Sequence, residues 1–374
     1  MSNLLFYGTT DYGEHLSNSD ISKFKELSNH FTTFVMTFGD KNQTLNHNYV
    51  TINYIKKPSL LIFKYIKFYF FNYYKLKLFC DQNKINIISA KDPIAAFLPI
   101  MIKKISNKKI KVIIEHHGDF IDLFLHQRSM RFNWLISKFL KLISKYTYKN
   151  CNLIRGVEEQ YTKNLGSRYN KKYSTFPAWV DHTIYKNNHL KRENIIFVGN
   201  IIPRKGVLFL IKNFYKYSIE FSSKETLLII GKEENSQYVA ECKKFLYENN
   251  IQNISFLGGK SHEELSNLYA SSKLLIMGSN YEGLPRVLIE SGLCGTPSLA
   301  SNIQGIKDPF GTLGGTVTYK LDDDNDFIVK LNEILSSENL QIELSKKAQL
   351  LSEKLSGKNS FLKNWLEIEN KLNE

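Results

Sequence analysis

The stretch EGLPRVLIE, Glu282 to Glu290, sets two carboxylates eight positions apart around a Gly-Leu-Pro turn and an apolar run. Such a pair can work as an acid and its base, or can hold two parts of one ligand. In the wider segment the apolar run KLLIM ends at Gly278-Ser279, a loop carries Glu282 and Gly283, and Pro285 is expected in the first turn of a helix closed by Gly295 and Pro297. Glu290 then lies on the helix and Glu282 ahead of it. The unpaired N–H groups of a helix start, beside a glycine that lets backbone approach closely, suit an anion and phosphate above all. The helix rises about 7 to 8 Å from Pro285 to Glu290, so Glu290 can stand beside whatever the helix start binds.

A second segment, FVGNIIPRKG, supplies the opposite charge: a strand, a glycine turn, then Arg204 and Lys205 before a helix. Cations at a strand-turn-helix fit a diphosphate, since each charge-assisted bond contributes about 1.5 to 3 kcal/mol. It is not a Walker loop, and taken alone it reads equally well as a solvated basic turn. IIEHHGDF brings His116, His117, Gly118 and Asp119 to the end of a first-half strand, where a histidine pair points to function. The first loop, GTTDYGEH, includes Gly13 but has no GxGxxG, which argues against a dinucleotide dehydrogenase. LDDDND, Leu321 to Asp326, reads as helix-cap chemistry in an acidic loop and is assigned no metal.

These segments need strands that end where they begin. NLLFYG, FTTFVMTFG, INIISA and KVIIEHHG in the first half, and NIIFVGN, TLLIIGK, NISFLGG, KLLIMGS and TPSLAS in the second, are short apolar runs separated by helix-length stretches. Continuous apolar strands imply parallel sheets covered on both faces, with ligands beyond their carboxyl ends. The 374 residues exceed what one core usually fills. The expectation is an α/β chain of two doubly wound, Rossmann-like domains facing across a cleft, residues 1–180 and 181–357, with a terminal helix over 358–374 packing back on the first. The crossing falls within FPAWVDHTIYKNNHLKREN.

With 43% hydrophobic and 23% charged residues the chain should be globular. Its net charge of +14 comes mostly from dispersed lysine, which suits nucleotide phosphates or anionic membranes. Nucleic-acid binding is excluded because no recognition motif accompanies the lysines. Cys80, Cys151, Cys242 and Cys294 show neither disulfide nor metal spacing, so a reducing cytoplasm is expected. The N-terminus has no secretory pattern. LLIFKYIKFYFFNYYKLKLF could be mistaken for a membrane span, but each of its four lysines would cost about 2.5 to 3.5 kcal/mol at a bilayer centre. On a helix over 56–79, Lys56, Lys57, Lys64, Lys67 and Lys75 share an arc of about 100°, with Lys77 outside it. That describes either a core helix with a solvated basic face or one that also touches an anionic bilayer through Lys64, Lys67 and Lys75.

The order of NIISAKDPIAAFLPI, VIIEHHG, FPAWVDHTIY, IIFVGNIIPRKGVLFLI, LLIIGKEE and NYEGLPRVLIESGLCGTPSLAS resembles glycosyltransferase family 4, retaining enzymes of the GT-B fold with an E-x7-E motif. The resemblance runs along nearly the whole chain and is strongest in the second half. It implies that Glu290 binds the ribose of a sugar nucleotide, while Glu282 with the backbone of Gly283, Leu284 and Pro285 holds the donor sugar. Lys205, with Arg204, would neutralise the diphosphate, and Gly258, Gly259 and Lys260 would lie by the base. His117 would touch the donor sugar, and Gly13 and Asp119 would border the phosphate or acceptor. Asn200 stands where the family often has arginine, and Trp179 where it often has glycine.

The function expected is retaining, metal-independent transfer of a hexose-type sugar from a UDP- or GDP-sugar to a hydroxyl of a cell-surface polysaccharide or lipid-linked glycan. No cofactor is expected beyond the co-substrate. The enzyme would be cytoplasmic and peripheral at the inner face of the plasma membrane. The alternatives are a catalytically weak GT-B homologue serving as a membrane-associated binding subunit, or a GT-B phosphorylase or epimerase.

Overall fold

The computed structural model describes residues 1–10, 12–13, 15–57, 72–105, 109–116, 133–188 and 190–374. It divides into two compact units, Met1–Trp179 with Asn359–Glu374, and Val180–Lys358.

In the first unit the elements run β1 (Ser2–Tyr7), α1 (Asn18–Leu27), β2 (Phe31–Gly39), β3 (Gln43–His47), β4 (Val50–Lys56), α2 (Tyr73–Gln82), β5 (Ile87–Ala90), α3 (Phe97–Ile105), β6 (Lys111–His116), α4 (Asn133–Asn150), β7 (Leu153–Gly156), α5 (Glu159–Tyr169) and β8 (Lys172–Thr175). The described strands form one sheet in the order β3-β4-β2-β1-β5-β6-β7-β8, parallel except for the edge hairpin β3-β4. β5 is buried at every position, which explains why it reads as an unbroken apolar run, whereas β7, equally buried, carries Arg155, which pairs with Glu115 at 3.1 Å. One face is covered by α2, α3 and α4 and the other by α1 and the C-terminal helix.

The helix expected over 56–79 is corrected at its start. Lys56 closes strand β4, paired in register with Gly39 of β2, so its backbone belongs to the sheet and the lysine arc cannot begin there. α2 begins at Tyr73, with Lys75 exposed on it, whereas Lys64 and Lys67 lie outside the described residues.

The second unit runs β9 (Asn194–Val198), a 3-10 turn (Pro203–Lys205), α6 (Val207–Glu220), β10 (Leu227–Ile230), α7 (Ser236–Glu248), β11 (Ile254–Gly258), α8 (His262–Ala270), β12 (Ser272–Met277), α9 (Arg286–Leu293), β13 (Ser298–Ser301), β14 (Thr316–Tyr319), α10 (Asp324–Leu335) and α11 (Glu338–Ser356). Its strands are all parallel, in the order β11-β10-β9-β12-β13-β14. Numbered within the unit this is 3-2-1-4-5-6, whose direction reverses between β9 and β12. Local chemistry starts the helices: Ser261 and Glu264 form a capping box on α8, and Asp323 caps α10 by accepting from the Asp326 amide, which is the role read for LDDDND.

The terminal helix α12 (Ser360–Asn373) groups with the first unit. Phe361, Trp365, Ile368 and Leu372 recur at helical spacing and enter the core that holds Phe24 and Phe176. Glu26 accepts from the Leu362 amide at 2.9 Å, and Glu369 pairs with His30 at 2.7 Å. Trp365 is the largest fully buried side chain among the described residues, 1% exposed. Trp365→Ala is expected to lower the unfolding free energy of the first unit by about 3 to 5 kcal/mol, read as a shifted urea midpoint; an unchanged midpoint would mean that α12 is not part of that core.

Candidate functional site

The segment after β9 and the segment after β12 leave neighbouring strands on the two sides of the switch point, where a doubly wound sheet opens a crevice. Two glycines let them meet. Gly206 has φ +63, and a Cβ there would lie 2.0 Å from the carbonyl oxygen of Gly278. The Asn280 amide donates to the Arg204 carbonyl at 2.9 Å, which ties one loop to the other. The β12 end is held from the far side, since Ser301 Oγ donates to the Ser279 carbonyl at 2.5 Å and Tyr319 Oη to that of Met277 at 3.0 Å.

On this frame Lys205 Nζ reaches Glu282 Oε1 at 2.5 Å, and Ser279 Oγ donates to the same oxygen at 2.8 Å. Arg204 Nη1 stands 3.5 Å from Oε1 and donates to the Tyr281 carbonyl at 2.5 Å. Glu282 and Lys205 are both largely shielded, at 10% and 14% side-chain exposure. A charge pair in that setting gains more than one at the surface and breaks at a cost unless a ligand replaces the lost partner. All these contacts fall on Oε1, and Oε2 has no hydrogen-bond partner among the described residues. The site therefore presents one open carboxylate oxygen beside an ammonium group, which can serve a hydroxyl and an anionic oxygen of the same ligand.

Glu282, Gly283, Leu284 and Pro285 form the loop between β12 and α9, backed by Gly305, where a Cβ would lie 2.1 Å from the Gly283 carbonyl. Pro285 is corrected by one position. Its ψ of 116° is extended, so it caps α9 instead of occupying the first turn, and the helix starts at Arg286. Arg286 and Val287 consequently offer the first amides of the helix to the crevice end of the sheet.

Glu290 sits one turn into α9 and is 5% exposed. Its Oε2 accepts from Tyr269 Oη at 3.2 Å, and its Oε1 pairs with Arg286 Nη2 at 3.3 Å. Burial, and then the Glu290 charge, push the Tyr269 hydroxyl well above its usual range, and the same two causes raise Tyr185, whose Oη bonds to His262 Nδ1 at 2.6 Å. Tyr269 thus stays a protonated donor to the carboxylate, with Tyr185 nearby on His262. Sequence reading missed Tyr185, Tyr269, Ser279 and Arg286. Only Arg286 left a sequence signal, its i, i+4 spacing to Glu290.

Gly258 ends β11 with φ +68 and has nothing within 4 Å of a Cβ position, while Gly259 faces Lys232 Cγ at 3.6 Å. Gly231 donates to the Gly258 carbonyl at 2.9 Å, and a Cβ on Gly231 would lie 1.8 Å from the Gly199 carbonyl, so three glycine strand ends form a row toward β9. Lys260 is turned to Glu264 at 3.3 Å. Asn200 donates to Glu234 Oε1 at 2.8 Å, on the loop after β10.

In the first unit Gly13 has φ +62 and its carbonyl accepts from Tyr54 Oη. His117 and Asp119 lie outside the described residues. Their neighbour His116 is buried, stacked on Tyr161 at 4.5 Å, with Nδ1 3.1 Å from Tyr148 Oη, which gives that histidine a structural setting. Among the described residues no group of three or more His, Cys, Asp or Glu is placed to hold a metal ion.

The fold is that of the GT-B glycosyltransferases, two Rossmann-like α/β sheets. Residues 182–351, within the second unit, match the family model described as Glycosyl transferases group 1. The chain is 25% identical over 234 residues to the amylovoran biosynthesis glycosyltransferase AmsD of Erwinia amylovora, covering 61% of this chain and 58% of that one. It is 22% identical over 252 residues to the N,N'-diacetylbacillosaminyl-diphospho-undecaprenol alpha-1,3-N-acetylgalactosaminyltransferase of Campylobacter jejuni, covering 63% and 64%. It thus spans less than two thirds of the length of either relative. Among solved structures it is similar to sucrose-phosphate synthase of Thermosynechococcus elongatus, with TM-score 0.79 and 14% identity over 100% of this chain and 99% of that one. HepE of Anabaena, in complex with UDP and glucose, gives TM-score 0.72 and 13% identity over all of both chains.

The Gly206 contact is testable without a ligand. Gly206→Ala combines a left-handed backbone with a collision on Gly278, so it should destabilise the second unit by more than about 1 kcal/mol, whereas Gly259→Ala, at an uncrowded position, should leave the urea midpoint within about 0.5 kcal/mol of the parent.

Proposed function

We propose that the chain is a glycosyltransferase that moves a hexose-type sugar, with retention, from a UDP- or GDP-sugar to a hydroxyl of a cell-surface polysaccharide or lipid-linked glycan. The observation that carries this reading is the Lys205–Glu282 pair at the switch point of a 3-2-1-4-5-6 sheet, inside the segment that matches group 1 glycosyltransferases. The names of the two relatives and the UDP in the HepE structure support the choice of donor and acceptor classes.

Breaking the bond between the anomeric carbon and the diphosphate oxygen leaves positive charge on the ring and negative charge on the leaving group. Lys205, released from Glu282 by the incoming diphosphate, and the first amides of α9 stabilise that negative charge in place. Glu282 then turns to the sugar, and Glu290, already lined by donors, receives the ribose hydroxyls by exchanging them for Arg286. The acceptor hydroxyl attacks the same face of the anomeric carbon and its proton passes to the departing diphosphate, so no metal and no protein base is required. Arg204, held at the Tyr281 carbonyl, orders the Glu282 loop, and Gly258, Gly259 and Lys260 lie by the base.

Lys205→Ala and Glu290→Ala, each folded by circular dichroism, are expected to lower transfer by about 10²-fold or more, and His117→Ala to lose it as well. Full activity in all three would sink the assignment. A thermal-shift screen of UDP- and GDP-sugars identifies the donor, because a ligand at about 100 times its Kd adds about 2.7 kcal/mol. Donor binding with neither hydrolysis nor transfer would favour the non-catalytic binding subunit instead.

A further inference from the structure

Helices α2, α3 and α4 form one layer on the first unit's sheet, and the outer side of α4 is unlike the other exposed helices. From Ser137 onward, where its side chains are described, its exposed positions are Lys138, Phe139, Lys141, Leu142, Lys145 and Lys149. At 100° per residue the four lysines fall within an arc of about 80°, and Leu142 and Phe139 flank that arc on one side. From Lys138 to Lys149 the stripe is about 16 Å long. Phe139 and Leu142 are 54% and 67% exposed, and on the neighbouring helices Ile105 and Leu78 are also exposed.

Among the described residues the charge on this side is uncompensated. Neither α3 nor α4 contains an acidic residue, and the one on α2, Asp81, is paired with Lys77. No described carboxylate pairs with Lys138, Lys141, Lys145 or Lys149. On the helices of the second unit, by contrast, Lys216, Lys243 and Lys347 each have a carboxylate within 3 Å. Lysines without partners beside exposed apolar side chains suit a surface that is anionic outside and apolar beneath. Lysine heads remain among anionic headgroups while phenylalanine and leucine enter the acyl boundary. A nucleic-acid backbone would use the lysines but leave the apolar side chains wet. Among the described residues no helix is long and apolar enough to cross a membrane.

We propose that the outer face of α4, with the adjoining edge of α2 and α3, docks the protein on an anionic lipid bilayer. The surface is independent of the donor site and of the reading given to it.

Co-sedimentation of the full chain with phosphatidylcholine vesicles, with and without phosphatidylglycerol, tests this. Binding is expected only to the anionic vesicles and should weaken as salt is raised. Lys141→Gln and Lys145→Gln should each lower partition about fivefold, the equivalent of about 1 kcal/mol per lysine. Leu142→Gln should weaken the binding that survives at high salt. Lys141, Leu142 and Lys145 are exposed, so the urea midpoint should stay within about 0.5 kcal/mol of the parent in each of these variants. Equal binding to neutral vesicles, no binding, or retention in the lysine variants would overturn the proposal. So would loss on Lys64→Gln and Lys67→Gln alone, or lysine-dependent binding to single-stranded DNA in place of vesicles.

Discussion

Lys205 and Glu282 are 77 residues apart in sequence and share a hydrogen bond because two glycines let two backbones touch. A side chain at Gly206 would occupy the space of the Gly278 carbonyl, so the turn after β9 and the loop after β12 can be this close only if that position has no Cβ. The parallel sheet supplies the rest of the constraint. β9 and β12 are adjacent with carboxyl ends on the same edge, and the chain turns to opposite faces of the sheet from them, leaving room for a ligand between the two turns.

The pair also defines what the resting site costs. A shielded ammonium and carboxylate satisfy each other until a ligand arrives, and an anionic ligand that takes the lysine must leave the carboxylate another partner. Under the proposed function a sugar diphosphate would do both at once, with its phosphates on Lys205 and its hydroxyls on Glu282. Glu290 follows the same logic one helical turn deeper, with Tyr269 and Arg286 as interim partners that a diol can replace. The two carboxylates of EGLPRVLIE are thus held by different neighbours, Lys205 and Ser279 for one and Tyr269 and Arg286 for the other.

Much of this was legible in the residues. Buried parallel strands are largely apolar, so β1, β2, β5, β6 and most of the second unit's strands appear as apolar runs, many of them ending in glycine, serine or a polar cluster. β3 is polar and half exposed, and β14 is four residues of mixed character, so neither carries a period that marks it as a strand. The lysine arc beginning at Lys56 shows the opposite error: a helical period fitted to residues whose backbone is committed to pairing with β2. Periodicity is a property of side chains, and register is decided by the neighbouring strand.

The sequence by itself determined that two α/β units are present, which strand ends carry charge, and that Glu282, Glu290 and Lys205 stand at or just beyond such ends. Local rules suffice for that, because burial on both faces, capping and glycine turns are written within a few residues. Only the tertiary structure decided that Lys205 answers to Glu282, that Tyr269 and Arg286 hold Glu290, that Arg204 faces a carbonyl, and that four lysines of α4 share one unpaired face. Those are contacts between segments far apart in sequence, or exposures set by what packs behind a helix, and their distances are fixed by sheet order and close packing.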